Sequence, residues 1–298
     1  MHSLVPKVVL SSLLIGGLTA CGLAPLIAAT PPELGDTKTA APDSMTMVYV
    51  PAGEFLMGSE KGTDERPVHA VYLEGYWIDQ TEISNAMYTK CMQAGGCSPP
   101  ASRTYLDDPQ YANHPVVFVS WVNARDYCSW AGRRLPTEAE WEKAASWDPA
   151  TNLPRLYPWG NEYDCSKGNY DDEVELDASL MTETDIGCDG HVRSAPVGSY
   201  PQGASVYGAL DMGGNAWEWV NDAFLEVDPI NPSVKNYYEV SPYENPQGVD
   251  PSLTEYRVVR GGSWNLTFGY GRSAYRLLFG LDDAYDGIGF RCALSKNP

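Results

Sequence analysis

Sulfur and carboxylate are the groups through which this chain could do chemistry. Cys21 stands alone near the start. Cys91, Cys97, Cys128, Cys165, Cys188 and Cys292 follow. No Cys-x-x-Cys occurs and the four histidines are scattered, so the spacing that gathers a zinc ion is missing. The even number favours disulfides, for which six cysteines allow fifteen pairings. Cys91 and Cys97 flank Gly95-Gly96 and suit a short staple, while Cys165 and Cys188 flank an acidic segment. That leaves Cys128 and Cys292, whose union would remove about 4–5 kcal/mol of chain entropy from the unfolded state. Ser263 is a weak nucleophile candidate, because none of His69, His114 and His191 has a local context that marks it as a base.

The charge balance narrows the partners. A formal net charge of -19 argues against nucleic acid, which needs clustered Lys and Arg. No G-x-G-x-x-G or phosphate-binding lysine loop occurs, which argues against dinucleotide chemistry. The acidic runs Tyr170-Asp-Asp-Glu173 and Asp282-Asp283 read as solvated faces.

Met1 to Cys21 is an address. One lysine precedes a short apolar run, Val8 to Gly17, about half the length a membrane span needs. Residues 1–20 therefore read as a signal peptide. Its Leu18-Thr-Ala-Cys21 ending resembles a bacterial lipobox, which implies lipidation of Cys21. Gly22 after it favours the outer membrane. Residues 21–45, rich in Ala, Pro and Thr, read as a flexible tether. The expected protein is exported and anchored by lipid.

From 46 to 298 the pattern predicts one domain. Met47–Val50, Gly53–Met57 and Val68–Trp77 read as strands. Helices are expected from Ser84 to Ala94, from Ser120 to Gly132, and from the capping box Thr137/Glu140 to about Ala145. Beyond Trp147 the chain turns irregular, with Val258-Val259 and Gly289–Ala293 as the best late strands and Asp222–Glu255 as a long loop. Helices first and short strands later make an α+β pattern.

Seven segments together resemble one family. They are Val50-Pro-Ala-Gly-Glu-Phe-Leu-Met-Gly58, Arg133-Arg-Leu-Pro-Thr-Glu-Ala-Glu-Trp-Glu142, Tyr157-Pro-Trp-Gly-Asn161, Ala195-Pro-Val-Gly198, Tyr207-Gly-Ala-Leu-Asp-Met-Gly-Gly-Asn-Ala-Trp-Glu-Trp219, Arg260-Gly-Gly-Ser-Trp264 and Gly289-Phe-Arg-Cys292. The chain is similar in these to the formylglycine-generating enzymes, or sulfatase-modifying factors. The resemblance implies a single loop-rich domain of C-type-lectin-like fold and a disulfide between Cys128 and Cys292. It also implies an oxidase in which two cysteines after the Gly-Gly-Ser block hold copper(I), a soft ion suited to thiolates. Here no cysteine lies between Cys188 and Cys292. Copper and the oxidase mechanism are therefore not expected, and no catalytic residue is assigned.

Calcium is the cofactor the resemblance leaves in place. It implies one site at Asp211, Gly214, Ala216 and Glu218 and a second at Asn169, Tyr170, Asp189 and His191. Hard carboxylates and converging backbone carbonyls suit that ion. It also places Trp217 and Ser263 in a groove, with Trp264, Asn265, Tyr270 and Arg276 close by in sequence. Such an aromatic wall with polar groups suits a protein segment or a small polar ligand. The leading expectation is a calcium-stabilised binding or accessory module, with a divergent oxidoreductase as the alternative.

Overall fold

Thr37–Ala40 (β1) and Met45–Val50 (β2) pair antiparallel, opening the first sheet. The computed structural model describes residue 1 and residues 31–170, 187–224 and 236–296. Cys21, the signal segment and the acidic run 171–173 lie outside the described residues. Gly53–Met57 (β3) and His69–Leu73 (β4) form a separate two-stranded ribbon. Tyr76–Asp79 (β5) returns to β2. The single strand expected over Val68–Trp77 is thus two strands in two sheets, divided at Glu74-Gly75. Tyr49 presses against Gly75, where an added Cβ would collide with its hydroxyl.

The expected tether end is corrected. β1 and Asp43 belong to the folded domain. Asp43 is buried, pairs with Arg133 and accepts a hydrogen bond from Tyr127 Oη at 2.7 Å. Its carboxylate replaces the solvent that a mobile linker would need.

The helices follow their caps. Ser84 caps Asn85–Gln93 (α1). Ser120 and Asn123 form a reciprocal box at Trp121–Trp130 (α2), and Thr137 with Glu140 does the same at Glu138–Ser146 (α3). Gly132, at φ +67°, ends α2. All of α3 is buried, so its charges need partners. Lys143 Nζ donates to the carbonyls of Pro51 and Gly53, Glu142 accepts from Gly58 N–H, and Arg260 pairs with Glu138 and Glu142.

Trp147–Asp148 (β6) and Leu153–Pro154 (β7) make a short ladder. The second half is more regular than expected. Trp217–Ala223 (β8), Tyr256–Arg260 (β9) and Arg276–Gly280 (β10) build a second sheet of order β10-β9-β8-β11. Its last strand, Ile288–Phe290 (β11), runs parallel to β8. A short helix, Tyr237–Val240 (α4), interrupts the expected loop. β8 escapes a period-two reading because nearly every residue in it is buried. Ala293–Ser295 (β12) leaves β11 and completes the first sheet beside β5. The expected late strand Gly289–Ala293 therefore spans two sheets, and Arg291-Cys292 sits at the crossing.

Three disulfides join Cys91 to Cys97, Cys128 to Cys292 and Cys165 to Cys188, with Cα separations of 5.4, 5.6 and 5.9 Å. The long bridge ties α2 to the β11–β12 crossing. Among the described residues no helix is long and apolar enough to cross a membrane.

Candidate functional site

The turn before β8 is the centre of the site. Asp211 (φ +57°), Gly214 (φ +92°) and Asn215 (φ +66°) all take left-handed backbone conformations, which are rare outside glycine and asparagine-like residues. A Cβ on Gly214 would stand 2.4 Å from the carbonyl oxygen of Asn169, so the turn closes only on glycine. This curl brings Asp211, Asn215 and Glu218 to the end of the second sheet.

Their surroundings differ sharply. Glu218 is the buried counter-ion of Arg291 and also accepts from Trp141 Nε1 at 2.8 Å. Asp211 Oδ2 accepts from Gly198 N–H at 2.5 Å, while its buried Oδ1 has no hydrogen-bond partner. Glu82 lies with it. Glu82 Oε1 accepts from Asn215 Nδ2 at 2.9 Å, and Oε2 is buried without a partner. Burial first, and then the charges of Asp211 and Glu218, raise Glu82 well above the usual carboxylate range, while burial raises Asp211 against the lowering pull of its contacts with Gly198 and Glu82. A shared proton or a bound cation would each satisfy this pair.

Asn215 also reaches the second set. Its Oδ1 accepts from Ala195 N–H at 2.8 Å and from Asn169 Nδ2 at 3.1 Å. Asp189 accepts from the backbone N–H groups of Tyr170 and His191 at 3.0 and 2.9 Å. Asn169 Oδ1 is buried with no partner. Unpaired buried oxygens are costly unless something binds them. Among the described residues no three His, Cys, Asp or Glu side chains converge as a metal cluster. A cation would therefore draw on amide and backbone oxygens as well as carboxylates.

The groove residues divide. Trp217 is buried against Tyr275 and Tyr270, with ring centroids 6.1 and 6.5 Å away. Ser263 is buried, its Oγ unpartnered, and a Cβ on Gly287 would come within 2.4 Å of it. The hydrogen bonds of the histidines lead elsewhere: His114 Nδ1 faces Ser194 Oγ at 3.1 Å, and His69 Nδ1 faces Pro67 O at 3.0 Å. Trp264 is half-buried and donates to Asp286 O at 3.3 Å, and Asn265 is exposed. Arg276 does not join them. It is buried in a two-point pair with Glu138 at 2.8 and 2.5 Å, under the rings of Phe224 and Tyr238. Asp283 caps the turn at Gly280 rather than lying free.

Six of the seven sequence blocks meet at this region, through Trp141, Pro158, Ala195, Gly214, Gly261 and Arg291, and comparison with known proteins agrees. A family model for the sulfatase-modifying factor enzyme 1-like domain matches residues 33–296. The chain belongs to this family. A formylglycine-generating enzyme of Streptomyces coelicolor is 33% identical over 296 residues, covering 83% of this chain and 88% of the relative. A hercynine oxygenase of Mycolicibacterium smegmatis is 32% identical over 264 residues, 78% of this chain. The chain spans 57% of that relative's length. The solved structure of PvdO from Pseudomonas aeruginosa is similar at a TM-score of 0.68 and 25% identity, over 89% of this chain and 99% of that one. The α+β, loop-rich fold expected from the sequence is the fold of this family.

Glu82, Asn215, Arg291 and Trp141 are the residues the sequence reading missed. Three of them lie inside the quoted blocks, where their types had a visible signal: a buried arginine or a tryptophan N–H needs an acceptor. Glu82 lies in no block. Only the fold brings it to Asn215.

Proposed function

We infer that this family member is an exported, lipid-anchored binding or accessory module that has lost the copper oxidase centre. Cys21 would carry the lipid, with the outer membrane favoured, and the domain would take a protein segment or a small polar ligand. One observation carries the reading. The segment from Gly262 to Arg276 contains no cysteine, and all six cysteines of the domain are in disulfides. Copper(I) then has no thiolate pair to hold it.

Calcium fits the oxygens present. Asp211 and Glu82 would hold one ion with backbone carbonyls, and Asn169 and Asp189 a second. The support is the set of buried oxygens without donors at Asp211, Glu82 and Asn169. A bound cation would neutralise the carboxylates and fix the turn that orients Trp217 and Trp264. Glu218 would act from behind, through Arg291.

The test is oxygen uptake by the purified protein with copper(I) and a cysteine-containing peptide. No peptide-dependent uptake is expected. Sustained uptake with loss of the peptide thiol would overturn the reading. The hercynine oxygenase relative favours one alternative, a divergent oxidoreductase on the same scaffold, which would also give uptake but with a metal other than copper.

A further inference from the structure

Next to Trp264 the surface carries a feature that the binding reading does not specify. Phe118 has φ +59°, a left-handed conformation in which a bulky residue is strained. It is held there at both ends of the residue. Phe118 N–H donates to Tyr285 O at 2.9 Å, and Phe118 O accepts from Ala101 N–H at 2.8 Å. Val117 and Val119 on either side are buried, while Phe118 is only half-buried. Its ring stacks on Tyr105 at 6.0 Å.

From there a contact chain continues. Arg193 Nη1 donates to Tyr105 Oη at 3.0 Å, and the guanidinium lies over the Trp264 ring at 5.8 Å. Arg193 is exposed, yet among the described residues it has no carboxylate partner. The other exposed arginines, Arg66, Arg103 and Arg125, each sit on one: Glu60, Asp107 and Asp126. In a chain of net charge -19, acids are abundant, and a guanidinium without a carboxylate partner among the described residues can take an outside group. Its backbone is fixed too, since Asn169 Nδ2 donates to Arg193 O at 2.9 Å and the next residue, Ser194, meets His114.

We propose that Phe118, Tyr105, Arg193 and Trp264 form the specificity wall of the ligand site and select an extended peptide bearing a carboxylate next to an apolar side chain. This rests on the binding-module reading and adds the class of ligand to it. The guanidinium offers paired N–H donors that match a carboxylate in two-point geometry. The flanking ring faces take the apolar neighbour. A chain of four side chains favours a peptide over a single small acid. The acidic remainder of the protein repels acids at long range, but salt screens that field within about 8 Å at physiological ionic strength, so recognition is a contact effect.

The test is selection of a random heptapeptide display library on the full chain and on Arg193→Gln. The wild-type pool should be enriched in Asp or Glu beside an aromatic or aliphatic residue. Replacing that acid by its amide in the best peptide should weaken wild-type binding at least tenfold and Arg193→Gln binding less than twofold, with Arg193→Lys in between. A wild-type pool without acid preference, or an equal loss on both proteins, overturns the proposal. If such a neutral pool still depends on Trp264, tested with Trp264→Ala, the binding module survives and only the role of Arg193 falls. If no peptide is recovered at all, the proposal falls and the binding module is left with its small polar ligand alone.

Discussion

Arg291 and Glu218 meet at two points, Nε to Oε2 and Nη2 to Oε1, both at 2.7 Å, with each side chain 0% exposed. The pair joins β8 to the crossing between the two sheets. Arg291 also donates to the carbonyls of Asp79, Gln80 and Leu210, so one guanidinium gathers two further segments, the end of β5 and the turn before β8. Removing it would strand a buried carboxylate. Arg291→Ala should therefore cost about 3–5 kcal/mol in denaturant unfolding, with Arg291→Lys recovering only part because an ammonium lacks the fork. A loss below about 1 kcal/mol for Arg291→Ala would show that the site does not depend on this pair.

Calcium should raise the melting temperature. A ligand bound only by the native state adds about 2.7 kcal/mol at a hundredfold excess over its Kd. Scanning calorimetry with and without calcium checks this on the wild type, Asp211→Ala and Asn169→Ala. Each variant should keep the response of one site only. Identical wild-type curves with and without the ion would remove calcium from the account.

Asp222 sets a pH dependence. It is buried, accepts from Glu138 N–H at 2.8 Å, and burial followed by the charge of Glu138 pushes it up to about 8. The folded chain then keeps a proton that the unfolded chain releases near pH 4. Its contribution is full below pH 4 and is lost as pH rises toward 8, at about 1.4 kcal/mol per pH unit. Chemical denaturation between pH 5 and pH 8 should show this decline in the wild type and a flatter profile in Asp222→Asn. Parallel profiles would assign the slope to other groups.

The Cys128–Cys292 bridge closes a separation of 164 residues. Replacing both cysteines by alanine should cost about 4–5 kcal/mol if unfolded-state entropy dominates, read from urea unfolding. A change under 1 kcal/mol would mean that the reduced chain already holds these segments together.

Much of the fold was legible because it rests on local signals. Ser120 and Thr137 announce their helices through caps, and Gly132 marks an end. β8 was not legible, since burial on both faces erases the alternation a strand normally writes. Of the site, the turn around Gly213-Gly214 could be read and its partners could not. Asn215 lies 133 residues from Glu82, and no local pattern encodes a contact at that range. Arg276 shows the opposite error: nearness in sequence to Ser263 suggested a groove residue, but strand β10 turns its side chain inward onto Glu138.

The central claim, that the domain lacks the copper centre of its oxidase relatives, is most directly tested by competing the native protein with a chromophoric copper(I) chelator. The account predicts no stoichiometric uptake, with the chelator keeping its metal. One equivalent of copper(I) withdrawn by the folded, disulfide-intact protein would contradict it.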